Sequence, residues 1–505
     1  MRPLAVAPVT PPGVGNNQQQ CEAGAALDQL CTAEDLPEIL QHHLELCNIL
    51  TLKPNRLTEF YHKLRDHVKT RRAQNLWNKF DEYSRSDCYN NGTSCSNLSV
   101  LVIGAGPCGL RTAIEAQLLG AKVVVVEKRT RFTRNNVLQM WPFVIEDLRK
   151  LGAKDLYPRF AGGTASHISI RRMQSILAKI ALLLGVEIFP NTSYQEIVEP
   201  SADKRQETGW QVRVSPDDHR INSMEFNVII GADGRHNTLP GFTRREYRPA
   251  LAIAITANFI NKRTQPELKV PEIGGLHYMY NQRKFKRLEA SCGIALENII
   301  YYKDETHYFV MTAKKQSLLN KGVIQKDLGS SRDLLQPSNI NRNALQGYVR
   351  EAVDFFTDDQ FPILEFELNH HKREDVAIFD FTSMFCSENA SCALQKRGHT
   401  LLLSLVGDSL LEPFWPQGTG CGRGFLSALD TCWLLKRWAA DELPLQDAMA
   451  EREAVYKLLQ ATVPRNLSQK INSYTLDPYT RYKEINLKSM SPSQVAALIH
   501  TDNPS

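Results

Sequence analysis

The chain has 505 residues, 42% hydrophobic and 23% charged, which is too long for one compact core and points to two or three domains. No apolar run approaches the roughly 18 residues a membrane span needs, and the formal charge of +5 permits an acidic partner without requiring one or implying nucleic acid. The 11 cysteines are odd in number, scattered and free of any C-x-x-C pair, which argues against a disulfide framework and a zinc site, so no metal is expected.

In chain order, the apolar residues 4–9 are cut by Pro3, Pro8, Pro11 and Pro12, too short for a secretory signal, and an intracellular location is expected. Residues 1–23 are rich in Pro, Gly and Gln and are expected to be disordered. Thr32 followed by Asp35 resembles a capping box, and Leu36, Ile39, Leu40, Leu44, Leu46 and Leu50 recur at helical spacing. A second amphipathic stretch carries Phe60, Leu64, Val68, Leu76, Trp77 and Phe80 on one side, with Arg65, Lys69, Arg71, Arg72 and Lys79 on the other. Those charges read as a solvated helix face, with a docking surface for an acidic partner as the alternative. A turn at 90–92 and a Ser-rich run follow.

Residues 98–103 are apolar except Ser99, as in a strand covered on both faces. A helix over 108–119 and a strand over 123–126 complete a βαβ unit. A long helix over 173–184 and a strand over 186–189 come next, and 210–230 alternate in a β-like way into Gly231. From about Phe242 to Phe381 mixed strands and turns, with a basic patch at 283–287, predict a separate antiparallel domain. The strand–loop–helix pattern resumes at 400–405, and the polar stretch after Tyr479 is expected to add no new core. The expected units are a tail and helical segment (1–97), a dinucleotide-binding domain in two parts (98–241 and 385–485), an inserted β-rich domain (242–384) and a tail (486–505).

The motif Gly104-Ala105-Gly106-Pro107-Cys108-Gly109 joins a strand to a helix. Gly104 permits the tight turn, Gly106 lets the backbone approach a pyrophosphate, and Gly109 allows close helix–strand packing. The helix N-terminus then receives the phosphates. Glu127 ends the next strand, 23 residues after Gly104, where a carboxylate can accept from the adenosine ribose. This pair alone separates neither FAD from NAD. Two later elements do: Gly231-Ala232-Asp233-Gly234 and Gly407-Asp408, each after a strand. Their order resembles the flavoprotein hydroxylases and implies the fold of para-hydroxybenzoate hydroxylase, an α/β FAD-binding Rossmann domain with an inserted mixed β-sheet domain. In that fold Asp233 approaches the flavin and the passing nicotinamide, Asp408 the ribityl and ribose oxygens, and Arg171 the pyrophosphate. Gly418, Gly420, Gly422 and Gly424 read as a loop leading into an apolar helix from Phe425. There is no second Gly-rich fingerprint, so NADPH is expected to visit a groove, deliver its hydride and leave.

Longer strings resemble one family. Glu127-Lys128-Arg129, Arg134-Asn135-Asn136-Val137, Trp141-Pro142-Phe143, the run from His167 to Arg171, the run from Ile255 to Phe259, the run from Tyr301 to Lys315, the run from Phe379 to Met384, and the run from Gly407 to Pro416 are similar to the monooxygenase domains of the MICAL family, over roughly residues 30 to 490. The resemblance implies that Cys108, Glu127, Arg129, Arg134, Asn136, Tyr194, Tyr308 and Asp408 bind FAD and that Trp415 stands beside the isoalloxazine ring. It implies reduction of FAD by NADPH, oxidation of methionines on filamentous actin to the sulfoxide, and hydrogen peroxide when no methionine is at hand. A cytoplasmic, cytoskeleton-associated monomer is expected. Gln417 and Cys421-Gly422 depart from the family pattern, and the calponin-homology, LIM and coiled-coil regions of family members are not in this sequence. The alternatives are a small-molecule aromatic hydroxylase of the same fold and a non-catalytic module on a flavin fold.

Overall fold

The computed structural model describes residues 14–161, 166–201, 208–248, 253–274, 281–380, 384–413 and 418–502. A layer of four helices comes first. Helix α1 (Val14–Thr32) takes in the second part, from 14 to 23, of the segment expected to be disordered, because Ala23, Ala26, Leu27 and Leu30 share one helical face and are buried. Residues 1–13 lie outside the described residues. The capping box at Thr32 does not form: its hydroxyl donates back to Asp28 and Gln29 carbonyls at 3.1 and 3.0 Å, and Asp35 precedes α2 (Leu36–Ile49) without a side-chain cap. Leu44, expected on the apolar face, is exposed.

The second amphipathic stretch is two helices, α3 (Leu57–His67) and α4 (Arg71–Ser84), broken where Thr70 caps α4 by accepting from the Ala73 N–H at 3.3 Å. All six of its apolar positions are buried. Arg65 pairs with Asp81 at 3.1 Å, Arg72 with Asp28 at 3.0 Å, and Lys79 with Asp155. The basic face is therefore largely neutralised within the fold, which favours the solvated-face reading.

The first body is built on β1 (Ser99–Ile103), α5 (Pro107–Leu118) and β2 (Lys122–Glu127), with β1 and β2 parallel and in register from Ser99–Lys122 to Ile103–Val126. The ribbon of β3 (Val137–Gln139) and β4 (His167–Ser169) encloses α6 (Pro142–Lys150) and the single turn α7 (Ala153–Leu156). Helix α8 (Ile170–Leu184) then leads to β5 (Glu187–Pro190), which pairs with β2. After a hairpin of β6 (Ser193–Val198) and β7 (Gln211–Ser215), β8 (Val228–Gly231) pairs with the other side of β1.

Beyond β9 (Arg244–Arg248) the chain enters a second body. There β10 (Ile253–Ile260), β11 (Leu296–Lys303), β12 (Thr306–Ala313) and β13 (Val376–Asp380) form a sheet in the order β11-β12-β10-β13. Every pairing in it is antiparallel, as the strands and turns of 242–381 predict. Helices α9 (Gln265–Lys269), α10 (Gln282–Cys292) and α11 (Arg342–Phe356) accompany it, and the basic patch at 283–287 lies on α10. Ile299, Tyr301, Phe309 and Met311 belong to a core separate from that of the first body. Their alternates Ile300, Tyr302, Tyr308 and Val310 face the other way and cluster with Val137 of the first body, as a period of two requires.

The return strand β14 (Met384–Ser387) pairs with β9. Then β15 (Ser391–Lys396), β16 (His399–Leu405), α12 (Gly420–Ala439) and α13 (Leu445–Leu459) complete the first body. The C-terminal stretch does contribute: β17 (Ile499–Thr501) joins the sheet parallel to β15, and Leu487 and Val495 are buried. The sheet order is β17-β15-β16-β8-β1-β2-β5. The architecture is thus a Rossmann-type body with an inserted β body and an N-terminal helical layer, as the motifs imply. No helix among the described residues is long and apolar enough to cross a membrane.

Candidate cofactor cleft

A cavity of about 360 Å³ opens at the carboxyl ends of β1, β2, β8 and β16, the place where open α/β sheets bind ligands. Of the residues singled out by sequence, Gly104, Gly106, Cys108, Glu127, Arg129, Arg134, Asn136, Tyr194, Asp233, Tyr308 and Asp408 all line it.

The floor is the β1–α5 turn. Gly104 has φ +107°, and a Cβ there would sit 2.7 Å from the Ala232 carbonyl oxygen, so only glycine fits. Gly109 lies behind the cleft, where a Cβ would stand 2.1 Å from the Gly104 carbonyl oxygen; it permits the helix to touch the strand. Above Gly106 the nearest atom to a Cβ is 3.9 Å away, leaving open backbone at the start of α5. The buried Glu127 carboxylate accepts from the Ala105 N–H at 2.9 Å and the Arg129 N–H at 3.0 Å. It therefore ties the glycine turn to β2 and keeps lone pairs for hydroxyl donors.

The rim is cationic. Arg129 and Arg134 are exposed to the cleft and form no ion pair among the described residues. Desolvation by the surrounding cleft walls and the neighbouring Arg129 hold the Arg134 guanidinium below its usual range. The Tyr194 hydroxyl is buried without a partner among the described residues. Two unmatched cations, a helix N-terminus and an orphaned hydroxyl around an open glycine turn are a cradle that a dinucleotide diphosphate fits.

The Asp233 carboxylate takes the Thr238 N–H at 2.9 Å, its hydroxyl at 2.8 Å and the Ser409 hydroxyl at 3.2 Å, which ties the end of β8 to the end of β16. Burial pushes the Asp408 carboxyl up to about 6, with Arg134 acting in the opposite sense. Asn136 donates to the Tyr308 hydroxyl at 3.0 Å and so bridges the two bodies.

Helix α12 starts at Gly420, not at Phe425. Gly422 and Gly424 are therefore helical, and close packing explains them. A Cβ at Gly422 would lie 2.3 Å from the Trp141 ring, and one at Gly424 would lie 2.3 Å from the Cys108 sulfur. The Trp141 indole in turn donates to the Gly418 carbonyl at 3.0 Å.

Arg171 is not brought to the cleft. Its side chain is half exposed and meets Glu305 at 3.2 Å, while Ile170 and Gln174 of the same helix line the cavity. Gln174 donates to the Ala105 carbonyl at 2.8 Å; as a polar residue on the apolar face of α8, one turn after Arg171, it was there to be noticed. Gln139 and Tyr302, joined at 3.2 Å, also line the cleft unannounced. Trp415 and Gln417 lie outside the described residues.

Comparison with known proteins agrees with this geometry. A family model described as FAD binding domain matches residues 99–138, the β1–α5–β2 unit and the rim. One described as Mical, Rossman domain matches residues 251–380, which fold here as the antiparallel second body. The protein-methionine sulfoxide oxidase mical3b of Danio rerio is 51% identical over 483 residues, covering 96% of this chain and 29% of that protein. The F-actin monooxygenase Mical of Drosophila melanogaster is 52% identical over 484 residues, 96% of this chain and 10% of its own length. The human F-actin monooxygenase MICAL3 is 51% identical over 480 residues, 95% and 24%. The chain spans between a tenth and under a third of these relatives, yet nearly all of it is matched at about half identity, and it belongs to the MICAL family.

Proposed function

We propose that this chain holds FAD in the cleft and uses NADPH and dioxygen to oxidise methionine side chains of filamentous actin to the sulfoxide, with hydrogen peroxide as the product when no methionine is presented. The observation that carries the reading is the cleft's set of unmatched cations, open glycine turn and orphaned Tyr194 hydroxyl, in a chain half identical to proteins named for F-actin monooxygenation. The open backbone at Gly106, the start of α5, Arg129 and Arg134 would hold the pyrophosphate. Glu127 would hold the adenosine ribose, and Asp408 the ribityl hydroxyls. Cys108, Asn136, Tyr194 and Tyr308 complete the lining.

Bound flavin would supply two-electron chemistry with NADPH and the activation of dioxygen. The chain's own part is to bind, orient and keep water out. Ile300, Tyr302, Tyr308 and Val310 form a buried apolar wall suited to a thioether. The N-terminus of α12, beginning at Gly420 in the cleft wall, favours negative charge there. A thioether sulfur is a soft, polarizable nucleophile, so no side-chain base is required. One oxygen atom goes to sulfur and the other leaves as water, with two electrons from NADPH. Trp415 is the aromatic residue proposed to shape the methionine site. The sulfoxide is polar and chiral and would weaken actin subunit contacts. The reading goes with a cytoplasmic, cytoskeleton-associated monomer.

The test is NADPH consumption with and without filamentous actin, followed by mass spectrometry of the actin. A yellow protein whose turnover rises with filaments and adds one oxygen to actin methionines is expected. A yellow protein that leaves actin untouched and hydroxylates a phenol would replace this reading with an aromatic hydroxylase.

A further inference from the structure

The two bodies have separate cores, so contacts across the cleft must set its width. Among the described residues, the most heavily bonded contact lies at residues 303–306, the turn between β11 and β12, which are the strands that carry Ile300, Tyr302, Tyr308 and Val310 into the cleft. The Asp304 carboxylate accepts from the Ser169 N–H at 2.7 Å. One Glu305 oxygen accepts from the Ser169 hydroxyl at 2.9 Å and Arg171 Nε at 3.2 Å. The other takes Arg172 Nε at 3.2 Å and a second, shorter contact from the Arg172 guanidinium. Arg172 also reaches Glu34, in the loop after α1, at 2.8 Å.

Ser169 is buried and is the N-cap of α8, the helix whose Ile170 and Gln174 line the opposite side of the cleft. A carboxylate at a helix start is favoured by the helix dipole. The Glu305 and Arg172 side chains are only 13% and 11% exposed, so water screens the contact little. On its other side the turn is held within its own body, where Lys303 Nζ donates to the Leu268 and Val270 carbonyls at 2.9 and 2.7 Å.

We infer that Glu305 is a positioning residue: it clamps the β11–β12 turn onto the start of α8 and thereby sets the separation of the two cleft walls and the rate at which FAD leaves. This rests on the reading that the cleft holds FAD. Arg171 acts in this clamp and not on the pyrophosphate.

The experiment uses the holoenzyme with Glu305→Gln and Glu305→Asp. FAD release on dilution is followed by the rise of free-flavin fluorescence, and the visible circular dichroism of bound flavin is recorded at saturating FAD. Glu305→Gln is expected to release FAD about tenfold faster, the scale of one charge-assisted hydrogen bond, with an altered flavin dichroism. Glu305→Asp keeps the charge but is one methylene short and gives an intermediate effect; it carries the test if the Gln variant does not fold. Lys315→Gln, which breaks an exposed 2.9 Å pair with Asp327 inside the second body, leaves both readouts unchanged. Wild-type release and wild-type dichroism in the Glu305 variants would overturn the inference. A colourless wild-type protein would overturn the FAD reading instead.

Discussion

Glu127 has two separable tasks, and substituting it should reveal one of them with no cofactor present. Its carboxylate accepts the Ala105 and Arg129 N–H groups at 2.9 and 3.0 Å while 7% exposed. In Glu127→Ala both donors lose their partner; an unsatisfied donor costs about 1–3 kcal/mol, so about 2–6 kcal/mol is expected in all. In Glu127→Gln the amide oxygen can keep one N–H, but its NH2 faces the other donor, and about 2–3 kcal/mol is expected. The assay is urea unfolding of flavin-free protein followed by tryptophan fluorescence, which reports on the first body through Trp77, Trp141 and Trp210, all buried in its core. Midpoints ordered wild type, Gln, Ala, with unchanged slopes, are expected. Equal midpoints for all three flavin-free proteins would refute the reasoning and leave Glu127 as a ribose ligand only.

The remaining expectations concern the same cleft. Gly104→Trp puts a side chain against the Ala232 carbonyl at a φ of +107° and should give a purified protein without yellow colour; full flavin retention, measured by absorbance, would refute the pyrophosphate assignment. The Asp408 carboxyl is raised to about 6 by burial, so the folded chain holds its proton between pH 4 and 6 where the unfolded chain does not. Ionising Asp408 in that window should lower flavin-free stability as pH rises, by up to about 3 kcal/mol, and Asp408→Asn should remove that share of the pH dependence in urea titrations at pH 4.5 and 7. FAD hydroxyls donating to the ionised carboxylate should make cofactor affinity rise from pH 5 to 7 in equilibrium dialysis, and Asp408→Asn should flatten the rise. Gly422→Ala drives a methyl against the Trp141 ring, which is pinned by its bond to Gly418; about 1–3 kcal/mol of stability should be lost, whereas an unchanged melting temperature would mean that Trp141 is free to move.

What could be read from the residues is what the backbone itself demands over short distances. The β1–α5–β2 unit, the turn at Gly104, the close approach at Gly109 and the carboxylate at Glu127 follow from glycine geometry and apolar runs, which are local constraints. The helices α2, α3 and α4 follow from spacing, though their breaks shifted by a few residues. The polar composition of residues 14–23 hid α1, because a single buried face suffices to fold a helix that is polar elsewhere. The glycines at 420–424 read as a loop because each costs about 1 kcal/mol in a helix, yet contacts at 2.3 Å with Trp141 and Cys108 leave no room for a Cβ.

The sequence by itself determined the Rossmann unit and the glycine turn and Glu127 of the cleft floor, since each depends on neighbours within one turn or one strand. Only the tertiary structure decided the destination of Arg171. Its partner Glu305 is 134 residues away, on a turn of the second body whose placement no local pattern encodes. The same holds for Tyr302 with Gln139, 163 residues apart, and for β17, an edge strand recruited from a polar tail. Long-range pairing depends on where separately folded surfaces meet, and that is a property of packing, not of spacing along the chain.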